Sequence, residues 1–356
     1  MSGSDSNPTI PVRDGEALNM EVVDPLLKAA IKGLSGTAKV TQFPSGASNL
    51  TYALDYPDRS LVLRRPPFGP RPKSGHDMFR EYRIMRDLKP VFDAVPPVLY
   101  YTDDESHIGA EFYVMERVDG HILHKIPKDW GWGEVENRKL CEAFFTILCD
   151  LHTLDVDAAG LSDFGKPQGY VERQILGWNR RWNRVLTDDV PHYEDIQAWL
   201  EDNMPADSGK VGVLHGDYRI DNCILDPNDP TKISALIDWE ISALGDPLMD
   251  LGNTLAYWIQ ADDPPHMQLT VRQPSNIPGM MTRQEVIEFY AERTGYDVSN
   301  MSYYYVYGIW RLCVIIQQIY YRYVVGATQD ARFKDYGQLV IALAETAKEK
   351  IKTGEV

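Results

Sequence analysis

Cysteine is scarce in this chain of 356 residues: there are four, at positions 141, 149, 223 and 313, and no Cys-x-x-Cys pair. A buried reduced thiol is the reading for each, in a cytoplasmic protein rather than one built on disulfides. Basic residues are in deficit as well. Lys and Arg total 36 against 52 Asp and Glu, a formal net charge of −16, with no dense Lys/Arg stripe. Nucleic acid is therefore not the expected partner. No apolar run is long enough to insert in a membrane, since the best stretch, 312–325, is broken by Gln317, Gln318 and Arg322. No internal repeat is evident. The polar residues 1–14 lack the basic-then-apolar order of a secretory signal and read as a flexible tail.

What is present is a globular composition, 44% hydrophobic, and length enough for two cores. The most informative run is His215-Gly216-Asp217-Tyr218-Arg219-Ile220-Asp221-Asn222, followed by Ile237-Asp238-Trp239-Glu240. Residues 211–214 are a short apolar strand candidate leading into it. Residues 223–225 are a second, and the turn Asp226-Pro227-Asn228-Asp229-Pro230 sends the chain back through a strand over 233–239 that carries Asp238 at its far end. Such an arrangement suits phosphoryl transfer, which needs an aligned hydroxyl, a proton acceptor and a cation on the phosphates. Asp217 is a short carboxylate able to orient a hydroxyl and take its proton. Asn222 and Asp238 are oxygen donors suited to a hard metal ion such as magnesium. Arg219 can stabilise charge on a phosphate or simply pair with a nearby carboxylate. Cys223 is next to a proposed ligand, which does not make it a nucleophile.

The first third of the chain alternates like an antiparallel sheet, with strand candidates at 38–43, 50–56 and 60–65. Between the first two, Pro44-Ser45-Gly46-Ala47-Ser48-Asn49 joins a glycine to small polar neighbours. Ser45, Gly46 and Ser48 can present N–H groups and hydroxyls to phosphates, or form an ordinary turn. The segment has neither the lysine of a P-loop nor repeated glycines. Arg64 ends the third strand, and alternation sends Arg65 to the opposite face. A helix over 77–88 has an apolar stripe of Phe79, Tyr82, Met85 and Leu88, so Glu81 faces elsewhere. Strands at 98–101 and 112–115 follow, the latter running into Glu116-Arg117-Val118-Asp119-Gly120.

Taken together, these segments resemble the aminoglycoside phosphotransferase and choline kinase superfamily, relatives of the protein kinases, over about residues 40–343. The resemblance implies an α+β, bilobal protein-kinase-like fold: a small mixed β/α nucleotide-binding lobe over 15–118 and a larger, mainly helical catalytic and acceptor-binding lobe over 119–356. ATP and Mg²⁺ would bind between the lobes, and the γ-phosphoryl group would pass to a small-molecule hydroxyl. Arg64 stands where the family usually has a phosphate-binding lysine and would pair with Glu81. This is a departure, because arginine offers a wider planar fork than lysine. Backbone groups near Glu116 and Val118 would meet the adenine edge. In Gly245-Asp246-Pro247-Leu248-Met249-Asp250-Leu251, Asp250 would brace the catalytic loop, with His215 and His152 in structural roles.

Helical periodicity dominates after Gly120, with candidates at 134–154, 174–186, 193–200, 286–294, 301–325 and 333–352. Tyr303, Tyr307, Trp310 and Arg311 share one helix face, as acceptor-pocket lining or as aromatic core. Together with Arg180, Arg181 and Arg184, that face argues against the carboxylate-rich cleft a polycationic aminoglycoside needs. The expected acceptor is a less cationic hydroxyl compound with an extended apolar part. A similar kinase domain stands beside acyl-CoA dehydrogenase modules in some proteins, which implies a hydroxyacyl thioester as one alternative; an amino alcohol is another. A nucleotide-binding scaffold without turnover is the non-enzymatic alternative.

Overall fold

The computed structural model describes residues 8–44, 49–68, 77–206 and 208–356. Its strands are β1 (Lys39–Gln42), β2 (Leu50–Asp55), β3 (Ser60–Arg65), β4 (Val98–Thr102), β5 (Phe112–Glu116), β6 (Gly212–Leu214), β7 (Cys223–Leu225), β8 (Ile233–Leu236) and β9 (Ala243–Gly245). Its helices are α1 (Met20–Ala30), α2 (Met78–Leu88), α3 (Glu134–His152), α4 (Tyr170–Trp182), α5 (Glu194–Asp202), α6 (Pro247–Tyr257), α7 (Pro265–Gln268), α8 (Arg283–Thr294), α9 (Met301–Val324) and α10 (Tyr336–Thr353). Two compact units result. The first comprises Met1–Ile122, Ala159–Leu161 and Asn222–Ser242; the second comprises Leu123–Ala158, Ser162–Asp221 and Ala243–Val356. The boundary at Asp221 and Asn222 cuts through the central motif, so Asn222 and Asp238 belong to the first unit and Asp217 to the second.

In the first unit the sheet runs β1-β2-β3-β5-β4, antiparallel throughout. Alternation decides its two faces. Leu61 and Leu63 of β3, Tyr52 and Leu54 of β2, and Phe112 and Val114 of β5 form one core with Val23 and Leu27 of α1. Arg64, one residue out of phase, points the other way and meets Glu81 of α2. The buried side of α2 is Met78, Glu81, Ile84, Met85 and Leu88. The expected stripe is thus corrected: Phe79 is 44% exposed, and Glu81 is turned inward rather than away. An acid replaces an apolar residue on that face because a buried guanidinium waits for it. Asp77 caps α2 by accepting from the Arg80 amide. Ile10 exchanges both backbone hydrogen bonds with Gln42, at 2.8 and 2.9 Å.

β7 and β8 pair as a hairpin, with Asp226 accepting from the amides of Asn228 and Asp229 in the turn. The returning strand is shorter than expected. It stops at Leu236, and Asp238 lies beyond it in a left-handed conformation with φ 69°. Glycine is required at 120, where φ is 152° and a Cβ would collide with the Leu225 carbonyl.

In the second unit the short strand β6 pairs with β9 rather than with either strand of that hairpin. Asp246 caps α6, accepting from the Leu248 amide at 2.9 Å, with Pro247 in the first turn. α6 is buried along nearly its whole length, and α9 crosses it at two glycines, Gly252 and Gly308. The aromatic face of α9 is core. Tyr303, Tyr307 and Trp310 are 5% exposed or less. The Tyr303 hydroxyl donates to the Leu200 carbonyl, and the Trp310 indole donates to Asn179 Oδ1. The bulky rings fill the space against α4 and α5. All four cysteines are buried and outside disulfides, and no helix among the described residues is long and apolar enough to cross a membrane.

Candidate functional site

The first unit gathers charge around one arginine. Arg64 Nη1 donates to Glu81 Oε1 at 2.6 Å, while Nη2 lies 3.2 Å from Asp238 Oδ1 and 3.8 Å from Glu240 Oε2. Burial works against the charged guanidinium, but Glu81, Tyr113, Asp238 and Glu240 together raise its pKa above the ordinary value. Burial has the larger effect on Glu81, pushing its carboxyl up to about 7 although Arg64 pulls it down. Asp238 is 36% exposed, so its carboxylate is paired without being sealed from solvent. The left-handed backbone at Asp238 is uncommon outside glycine and turns this side chain toward Arg64 rather than along the strand. Asn222 is buried, and its carbonyl accepts from the amide of Ile237, the residue before Asp238, at 2.9 Å. Asn49 Nδ2 donates to Glu240 at 3.1 Å.

Arg65, on the opposite sheet face, donates to the carbonyls of Pro66 and Ile108 and stacks on Phe68. Glu116 ends β5 with its side chain paired to Arg59 and its amide donating to the Pro97 carbonyl at 2.9 Å. Its amide is therefore occupied; its carbonyl and the backbone of Val118 are the groups left for the adenine assignment. Ser45, Gly46 and Ser48 lie outside the described residues.

The second unit holds a loop by its backbone. Asp250 accepts from the amides of His215 and Gly216 at 2.8 and 2.9 Å, one oxygen to each. His152 Nε2 lies 3.3 Å from the same carboxylate, and His152 Nδ1 lies 2.8 Å from the Tyr290 hydroxyl. Burial alone would raise the Asp250 carboxyl. The His152 bond, the nearby His152 and His215 rings and the His215 amide outweigh it and hold the group below the ordinary carboxylate range. His215 is fully buried and its Nδ1 accepts from the Asp217 amide at 3.3 Å, a structural position. Tyr218 points away from the loop to donate to the Phe144 carbonyl, and the Ile220 amide donates to Gln273.

What this frame leaves partly open is the Asp217 carboxylate, 22% exposed, with Arg219 Nη1 at 3.3 Å. Arg219 also bonds Asp221 through Nε at 2.8 Å and Nη2 at 3.2 Å and lies over the Tyr257 ring at 5.2 Å. Of its two possible roles, pairing with carboxylates is the one the geometry contains. Glu240 carried no separate signal beyond its place two residues after Asp238. Gln273 and Tyr257 were invisible to motif reading, because they support the loop from remote parts of the chain.

Residues 39–280 match the phosphotransferase enzyme family. The chain is 32% identical over 342 residues to acyl-CoA dehydrogenase family member 10 of Mus musculus. That alignment takes in 95% of the chain but 32% of the mouse protein, so the chain spans about a third of that relative's length. Among solved structures, a candidate aminoglycoside phosphotransferase from Ralstonia eutropha superposes with a TM-score of 0.82 at 29% identity, covering 94% of this chain and 99% of that one. A thermostable mutant of aminoglycoside phosphotransferase APH(4)-Ia, in ternary complex with AMP-PNP and hygromycin B, shares the fold at TM-score 0.59 and 15% identity, covering 94% and 99%. With a sheet-based first unit and a helical second unit, the chain belongs to the phosphotransferase enzyme family and is a small-molecule kinase of protein-kinase-like fold.

Proposed function

We propose that the chain transfers the γ-phosphoryl group of ATP to the hydroxyl of a small molecule, with Asp217 accepting the hydroxyl proton. The observation that carries this reading is the Asp217 carboxylate, partly exposed on a loop whose backbone is bonded from within. Such a carboxylate can orient a hydroxyl without reorganising. Arg219 holds it in place and shares its charge with Asp221. On the nucleotide side, Arg64 is oriented by Glu81 to meet phosphate oxygens, and the Glu116 carbonyl and Val118 backbone meet the adenine. The AMP-PNP bound by the APH(4)-Ia relative supports ATP as the donor.

The donor set of one carboxylate and one amide, Asp238 and Asn222, fits a magnesium ion that takes its other ligands from phosphate and water. When bound there, magnesium would neutralise charge on the phosphate oxygens.

For the acceptor, the aromatic face of α9 gives no support, but the charges do. Arg219 stands beside Asp217. A cation next to the proton acceptor disfavours a polycationic sugar. The acyl-CoA dehydrogenase relative favours a hydroxyacyl thioester over an amino alcohol. Four buried cysteines outside disulfides favour the cytoplasm. The test is an acceptor screen read by mass spectrometry for an added phosphate, spanning hydroxyacyl thioesters, amino alcohols, sugars and aminoglycosides. Saturable transfer to thioesters supports the reading. Transfer to aminoglycosides alone overturns the acceptor class, and nucleotide binding with no transfer to any of them favours a scaffold.

A further inference from the structure

We propose that Arg311 is a positioning residue for the catalytic loop, set in place by the glycine crossing of α6 and α9. Its Nη2 donates to the Gly216 carbonyl at 2.9 Å, the peptide immediately before Asp217. The amide of the same Gly216 is bonded by Asp250. The residue preceding Asp217 is therefore gripped at both polar atoms, by an anion from α6 and a cation from α9. Gly216 itself has φ 84°, a left-handed turn that glycine adopts without steric cost. Arg311 is 7% exposed, and its guanidinium lies 5.3 Å above the Trp178 ring. A buried arginine retained beside a catalytic carboxylate needs such partners to offset its desolvation.

The two grips share one origin in the packing. A Cβ at Gly308 would collide with the Gly252 carbonyl, and one at Gly252 would collide with the Tyr304 carbonyl. The helices therefore meet backbone to backbone. Asp250 is two residues before Gly252 and Arg311 three residues after Gly308, so this close approach sets the span across which the two side chains reach one peptide. Widening the crossing by a methyl group would draw the arginine off the loop while leaving both side chains chemically intact.

The inference rests on the proposed kinase activity for its kinetic consequence but not for its structural one, so two readouts separate them. Hydrogen exchange by mass spectrometry on the folded protein follows the peptide containing residues 214–219. In Arg311→Met its amides exchange about ten- to a hundredfold faster, the equivalent of one charged hydrogen bond, with α3 peptides unchanged. In the phosphotransfer assay, kcat falls about a hundredfold, as expected for a small displacement of the reacting group. Nucleotide Kd and acceptor KM stay within about threefold. Arg311→Lys, which keeps the cation, recovers part of kcat and serves alone if the Met variant does not fold. Gly308→Ala lowers kcat in the same way, and adding it to Arg311→Met produces little further loss.

A folded Arg311 variant with wild-type loop exchange overturns the proposal, as does one with kcat within twofold of wild type. A raised acceptor KM at constant kcat also overturns it, by making the arginine an acceptor contact. Absence of transfer by the wild-type protein refutes the proposed function instead, and the exchange result then decides the grip by itself.

Discussion

The two units hold their central polar groups differently. In the first, Arg64 is shared among the Glu81, Asp238 and Glu240 side chains, a balance of formal charges. In the second, Arg219 pairs with Asp217 and Asp221, but the loop itself is held by its backbone: Asp250 holds the His215 and Gly216 amides, Arg311 the Gly216 carbonyl and Gln273 the Ile220 amide. In the proposed function, the first set of charges would exchange partners with an incoming polyphosphate and cation, and the Asp217 carboxylate, carried on a fixed peptide, would meet one hydroxyl. On that reading the nucleotide and acid–base roles are separable by mutation.

Several substitutions test that separation, beginning with the most severe. Asp217→Ala is expected to lower turnover by about 10²–10⁴-fold, the usual contribution of a positioned acid–base group, in a steady-state assay with saturating nucleotide. A loss below tenfold would place the proton acceptor elsewhere. Asp250→Asn removes the anion from a fully buried site and replaces one acceptor oxygen with a donor. Thermal or denaturant unfolding should show a loss of about 3 kcal/mol, typical of breaking a buried charge network; an unchanged midpoint would mean the loop is held by other contacts. Arg64→Ala should weaken ATP binding about ten- to a hundredfold through lost charge-assisted hydrogen bonds, and Arg64→Lys should restore much of it. Equal affinity in Arg64→Ala and wild type would remove the arginine from the phosphate site.

The mildest effect concerns pH. Burial raises the Glu81 carboxyl from 4.5 to about 7, so between those values the folded state binds a proton that the unfolded state has released. The associated stability is present below 4.5 and is lost as pH rises toward 7. Glu81→Gln should flatten that part of the stability curve. A wild-type curve with no decline between pH 5 and 7 that Glu81→Gln alters would show that Arg64 cancels the burial cost.

Much of this architecture was legible because local pattern and chemistry coincided. β3 and β7 fall where alternation and apolar runs put them, and Asp217, Asn222 and Asp238 stand out as polar groups flanking short apolar strands. Glu81 was found as Arg64's partner, but its inward direction was not, since helix periodicity alone favours apolar residues on the buried face. α1 went unnoticed although Val23 and Leu27 have helical spacing, because Pro25 inside it reads as a break. The aromatic start of α9 could serve either pocket or core, and only its packing against α4 and α5 decides for core. The pairing of β6 with β9 and the grip of Arg311 depend on residues far apart in sequence, which periodicity does not connect.

The division of labour is tested most directly by calorimetric titration of folded Asp217→Ala and Asp238→Ala with Mg·ATP. The account predicts that Asp217→Ala binds nucleotide within about threefold of wild type while Asp238→Ala loses at least about tenfold, the scale of one charged interaction. Equal loss of affinity in the two variants, or retention in both, would contradict it.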